Sequence, residues 1–117
     1  ISEQFMFDLC VFFKCLADDT RLKSLLLITK LNEMCVCDLM IALALDQPKT
    51  SRHLAQLREC GILQDERRGK WVFYKLHPAL PAWAKEVIVQ SAQHNNDYIK
   101  PALHTLNTSQ STTKGCC

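Results

Sequence analysis

Residues 47–76 read "QPKTSRHLAQLRECGILQDERRGKWVFYKL", and the change of period inside this stretch decides the fold. Up to Cys60 the apolar Leu54 and Leu57 keep helical spacing, and Gly61 stands where a helix C′ residue belongs. Asp46 supplies an N-cap, and Pro48 falls in the first turn, where its missing N–H costs nothing. Beyond Gly61 the pattern becomes that of two short strands around a turn at Arg68-Gly69-Lys70. Trp71, Phe73 and Lys75 lie on one face, and Val72, Tyr74 and Leu76 on the other. A helix over roughly 47–60 thus runs directly into a β-hairpin.

Upstream, Val36 to Ala44 reads as a helix with Leu39, Ile41, Ala42 and Leu43 as apolar surface. With the helix from Gln47, across a short break, it has helix-turn-helix proportions. Phe5, Leu9, Phe12, Phe13 and Leu16 predict an amphipathic helix over Glu3 to Ala17, and "ADDT" then breaks it, with Asp18 or Asp19 as the next N-cap. Leu22, Leu25, Leu26 and Ile28 to Leu31 form the buried stripe of a second helix, which ends in a turn at Asn32 and Glu33. Downstream, Pro78 and Pro81 introduce one long last helix, with Leu80, Trp83, Ala84, Val87 and Ile88 on its apolar side. The fold expected is mostly α with a small β-hairpin wing: a winged helix-turn-helix, dimeric through its first and last helices. Residues 1–106 form the domain, and 107–117, "NTSQSTTKGCC", a flexible polar tail ending in Cys-Cys.

The chain's 117 residues are enough for one domain, and its 48% hydrophobic and 22% charged residues are ordinary for a soluble one. Apolar runs such as "LLLI" fall far short of a membrane span. The first residues carry Glu3 and Asp8 instead of a basic leader, so the expected location is cytoplasmic. The seven cysteines then read as reduced thiols, some structural and some open to a soft metal. No Gly-rich phosphate loop, H-E-x-x-H pattern or other catalytic spacing is present, and the four histidines are scattered, so no enzyme is expected.

Net charge is +2 but unevenly spread, with seven Lys or Arg against three acids between Gln47 and Leu76. A basic segment in a near-neutral chain points to a local polyanion-binding face. Gln47, Lys49, Thr50, Ser51, Arg52, His53 and Gln56 cluster on the N-terminal half of their helix, where short polar and basic side chains reach base edges and the helix end favours phosphate. Arg67, Arg68 and Lys70, around Gly69, suit backbone contact in an adjacent groove. The partner expected is double-stranded DNA, read by a twofold homodimer on an inverted repeat.

"EMCVCDL" (33–39) puts Cys35 and Cys37 just where a helix begins. Sulfurs sharing one ion through bonds of about 2.3 Å sit roughly 3.5–4 Å apart. Residues i and i+2 of a regular helix point about 200° apart, so the pair cannot ligate one ion inside an undisturbed helix. In extended backbone they share a face. Ligand capture would therefore distort the helix start and shift the DNA-reading helix behind it. The plain alternative is a pair of small buried hydrophobes. Cys10 and Cys15 read first as core packing and second as further ligands, Cys60 as packing, and the vicinal Cys116 and Cys117 as a tail that reaches an ion or does nothing.

The segments "LADDTRL", "EMCVCDL", "QPKTSRHLAQLRECGIL" and "RRGKWVFYKL" resemble the ArsR branch of the ArsR/SmtB family of metal-responsive winged-helix repressors, over roughly Leu16 to Trp83. The resemblance implies a homodimeric repressor that leaves its operator when a toxic metal or metalloid binds. It implies that 47–56 enters the major groove and that Cys35 and Cys37 are the inducer site. Family members often carry a third cysteine where this chain has Met40, which leaves the third ligand open. Trivalent arsenic or antimony is the leading inducer, with cadmium or lead as runner-up. A redox-responsive DNA-binding protein is the alternative of another kind. No cofactor is required for DNA binding itself.

Overall fold

Three aspartates set the helix starts. Asp8, Asp18 and Asp46 each accept a hydrogen bond from the backbone N–H three residues on, at 3.0, 3.0 and 2.8 Å. Each satisfies one of the orphan donors of a first turn, worth about 1 kcal/mol apiece. The computed structural model describes residues 8–112. Its helices are α1 (Leu9–Leu16), α2 (Asp19–Leu31), α3 (Val36–Leu43), α4 (Gln47–Glu59), α5 (Ala82–Gln93) and α6 (Asn96–Thr112). Its strands are β1 (Met34–Cys35), β2 (Leu63–Arg68) and β3 (Trp71–Leu76), antiparallel in the order β1-β3-β2.

The core is built on α2, whose Leu25, Leu26, Leu27 and Ile28 are buried together with Phe12, Leu39, Leu54, Leu57, Ile62, Leu63, Ile88 and Ile99. At about 1.5–3 kcal/mol for each large side chain removed from water, this cluster is what holds the helices in place. Leu54 and Leu57 fasten α4 to it and leave the polar side of that helix outward. The hairpin follows from Gly61 at φ 79°, just past the α4 C-cap, and closes on Gly69 at φ 64°. Both are left-handed positions that glycine adopts at least cost.

Three boundaries differ from the sequence reading. The first helix was expected from Glu3, but Asp8 is an extended N-cap and α1 starts at Leu9; residues 1–7 lie outside the described ones. The single last helix is two helices. His94 caps α5, and the Asn95-Asn96 pair, poor helix formers, makes the break. The tail expected from Asn107 is helical as far as Thr112, because α6 is anchored by buried Ile99, Ala102 and Leu106 and extending a nucleated helix costs little. Strand β1 is an addition: Met34 and Cys35 pair with Tyr74 and Phe73, and a two-residue strand has no period to read.

Candidate nucleic-acid interface and thiol site

On α4, Gln47, Lys49, Arg52 and Gln56 are exposed and Ser51 is half-buried. Thr50 and His53 are turned inward. Thr50 is 1% exposed and its hydroxyl donates to the Asp46 carbonyl at 2.8 Å. His53 Nδ1 is buried without a hydrogen-bond partner, 3.8 Å from an Asp18 carboxylate oxygen. Burial is the main cause that pushes the His53 pKa below its usual value, with Arg21, Arg52 and Lys49 adding to it and Asp18 opposing. Both residues orient α4 from within, which sequence polarity alone does not reveal. Gln56 accepts from the Arg21 guanidinium, and Arg21 also donates to the Cys15 carbonyl at 2.7 Å.

On the wing, Arg67, Arg68 and Lys70 are exposed around Gly69. The first-position glycine of this two-residue loop matches a II′ hairpin. Lys70 lies 5.5 Å from the Trp71 ring centroid and Arg68 lies 4.5 Å from that of Phe73. Arg68 also makes two 2.7 Å bonds to Glu33 and one of 3.0 Å to Glu66. Those carboxyls are held below their usual range by the same guanidinium. Glu33 is the residue that sequence reading missed; its partner stands 35 positions away, beyond any local pattern.

Cys35 and Cys37 do not both lie in the helix. Cys35 is extended (φ −87°, ψ 164°), belongs to β1 and N-caps α3, its Sγ accepting from the Asp38 N–H at 3.4 Å. Cys37 sits in the first turn of α3. Of the pair, only Cys37 is therefore helical. Both sulfurs are in disulfide form in the structure, while Cys10, Cys15 and Cys60 are free thiols. Cys35, Cys37 and Met40 line one cavity of about 290 Å³ together with Gln47 at the start of α4 and Lys70 and Trp71 on the wing.

The other cysteines stand elsewhere. Cys10 is exposed, so it is not core packing; Cys15 is buried and faces α4 from a separate cavity. Cys116 and Cys117 lie outside the described residues. Among the described residues no group of three or more His, Cys, Asp or Glu is placed to hold a metal ion. No helix among them is long and apolar enough to cross a membrane.

A polar helix and a basic hairpin presented side by side define the winged helix-turn-helix class of DNA-binding proteins. Residues 18–65 match the model of the bacterial regulatory protein, arsR family. The chain is 53% identical to the arsenic resistance transcriptional regulator ArsR1 of Pseudomonas putida, over 78% of this chain and 71% of that one. It is 49% identical to the arsenical resistance operon repressor of Escherichia coli K12, over 80% of each. Among solved structures, reduced HlyU from Vibrio cholerae superposes with a TM-score of 0.66 at 30% identity, covering 74% of this chain and 86% of that one. The chain belongs to the arsR family of bacterial regulatory proteins, and its relatives are regulators, not enzymes.

Proposed function

We propose that this chain is a repressor that binds operator DNA as a homodimer and leaves it when trivalent arsenic or antimony binds Cys35 and Cys37. Gln47, Lys49, Ser51, Arg52 and Gln56 read the major groove, while Arg67, Arg68 and Lys70 contact the backbone beside it. Thr50 and His53 serve the same helix from its inner side. The names borne by the Pseudomonas and Escherichia relatives support the arsenical response.

The observation that carries the reading is the shared cavity: the thiol pair, the first residue of α4 and the tip of the wing all line it. Arsenous acid exchanges two hydroxyls for two thiols, each thiol proton leaving as water, and the arsenic keeps its third oxygen. Drawing both sulfurs onto one atom ties β1, which pairs with the wing through Cys35, to the first turn of α3 through Cys37. A ligand there acts on both DNA-facing elements from one place.

A second copy is the partner that fits the exposed apolar residues of α1. Leu9, Val11 and Phe13 are 59%, 46% and 47% exposed, and Trp83 on α5, which stacks edge-on against Phe12 at 5.3 Å, is 41% exposed. Such a patch on a small DNA-binding domain is where a twofold dimer closes.

The disulfide form of Cys35 and Cys37 favours one second reading, in which thiol oxidation is the signal. Fluorescence anisotropy on DNA from upstream of the gene separates the two, with arsenite, antimonite, cadmium and lead titrated into reduced protein. Release by arsenite or antimonite in the parent protein and none in Cys35→Ser/Cys37→Ser is the expected result. Normal release of the double-serine protein would sink the proposal. Release by oxidant alone would replace it with the redox reading.

A further inference from the structure

Cys15 stands in the last turn of α1 and Cys60 is the C-cap of α4, 45 positions apart, yet both border one cavity, and the Cys60 N–H donates at 3.1 Å to the same Gln56 carbonyl that Cys15 faces. The Cys15 Sγ also donates to the Gln56 carbonyl at 3.7 Å, and Arg21 fixes the backbone by bonding the Cys15 carbonyl. The two sulfurs, with Val11, Lys14, Arg21 and Glu59, line an open cavity of about 380 Å³ that shares no residue with the one at Cys35 and Cys37. Sequence reading took Cys60 as packing, and it does pack against the core; nothing local announces that α1 brings Cys15 to the same cavity at the end of α4.

We infer that Cys15 and Cys60 form a second dithiol site, which takes a trivalent arsenical bearing one organic substituent. Both cysteines border one cavity beside the Gln56 carbonyl, and sulfurs that share one pyramidal atom come to sit roughly 3.5–4 Å apart. An arsenic carrying one carbon has two exchangeable oxygens and asks for two thiols, and the open cavity leaves room for the substituent. Two As–S bonds form, two As–O bonds break, each S–H proton leaves with a hydroxyl as water, and the arsenic stays trivalent. Once filled, the site staples α1 to the far end of the DNA-reading helix.

The test uses full-length protein with Cys35, Cys37, Cys116 and Cys117 changed to serine, so it does not depend on the inducer site or on DNA. Phenylarsine oxide is the probe, read by native mass spectrometry, thiol titration and peptide mapping. One equivalent should bind, protect two thiols and map to Cys15 and Cys60. Removing either sulfur abolishes the chelate, so Cys60→Ser should weaken binding by about 10²–10⁴-fold. Because Cys15 is buried, Cys60→Ser is the decisive variant, and its circular dichroism checks that the fold survives. Binding unchanged in Cys60→Ser, protection mapped to Cys10, or a Cys15–Cys60 disulfide with diamide but no arsenical uptake would each overturn the assignment.

Discussion

Arg68 at the tip of the wing is joined by two hydrogen bonds of 2.7 Å to Glu33, which precedes β1 and the cysteine pair. The guanidinium would thus be shared between the Glu33 carboxylate and a phosphate on DNA. Glu33→Gln should free that charge, tighten operator binding at low salt and steepen the log–log salt dependence by about one unit. Anisotropy at several salt concentrations measures this. An unchanged slope would mean that Arg68 does not contact DNA.

Exposed cations on the two DNA-facing elements should behave in the opposite sense. Arg52→Ala and Lys70→Ala are expected to weaken binding and to make the salt slope shallower by about one unit each if they meet phosphates. Melting temperatures should not move, because both side chains project from the surface. Loss of affinity for one sequence only would instead identify Arg52 as a base reader.

Metalloid release should require reduced protein. Both Cys35 and Cys37 are in disulfide form in the structure, and a disulfide offers no thiol to exchange with arsenous acid. Arsenite added to oxidised protein should leave DNA bound, and release should appear once a monothiol reductant is present. Release without reduction would place the inducer site away from Cys35 and Cys37.

Acidification should loosen α4 through His53. Its folded pKa lies below 6.5, chiefly because it is buried, so the folded chain holds fewer protons than the unfolded one near that pH. The stability gained by keeping it neutral is complete above 6.5 and falls as the pH drops through the folded value. Asp18, whose carboxyl is held down chiefly by the Arg21 backbone N–H, adds a second loss below 3.8. Melting temperature against pH should fall less steeply through the upper step in His53→Gln than in the parent chain.

Backbone conformation predicts two substitutions of opposite sign. Ala44, the α3 C-cap, sits at φ 55°, and Ala44→Gly should raise stability by roughly 1 kcal/mol. Gly69 has φ 64° and open space where a Cβ would go, so Gly69→Ala costs only the strain of the left-handed backbone, roughly 1–2 kcal/mol. Urea unfolding distinguishes the two.

Features governed by neighbours in sequence could be read directly. The Asp46 cap, Pro48, the Leu54 and Leu57 anchors, Gly61 and the Gly69 turn are all set within a few residues, and each stands where the pattern put it. What could not be read depends on contacts across the chain. Thr50 and His53 looked like polar surface because polarity does not say which side of α4 meets Asp18. The extended Cys35 depends on pairing with Phe73, the Glu33–Arg68 bond on the hairpin folding back, and the cavity shared by Cys15 and Cys60 on α1 lying beside the end of α4. The break at Asn95 had local residues behind it, but the broad apolar stripe around it outweighed them.

Strand β1 is an edge of two residues, paired on one side only. Such a ladder opens by itself at a small fraction of the 5–15 kcal/mol that separates a folded domain from its unfolded ensemble. Amide hydrogen exchange should therefore find Met34 and Cys35 among the fastest-exchanging sheet positions, while Leu25 to Ile28 exchange only on global unfolding. A ligand that acts at this edge has only a local opening to overcome. The helices that position the reading surface can stay folded while it is withdrawn, and the same molecule can return to DNA once the ligand is gone.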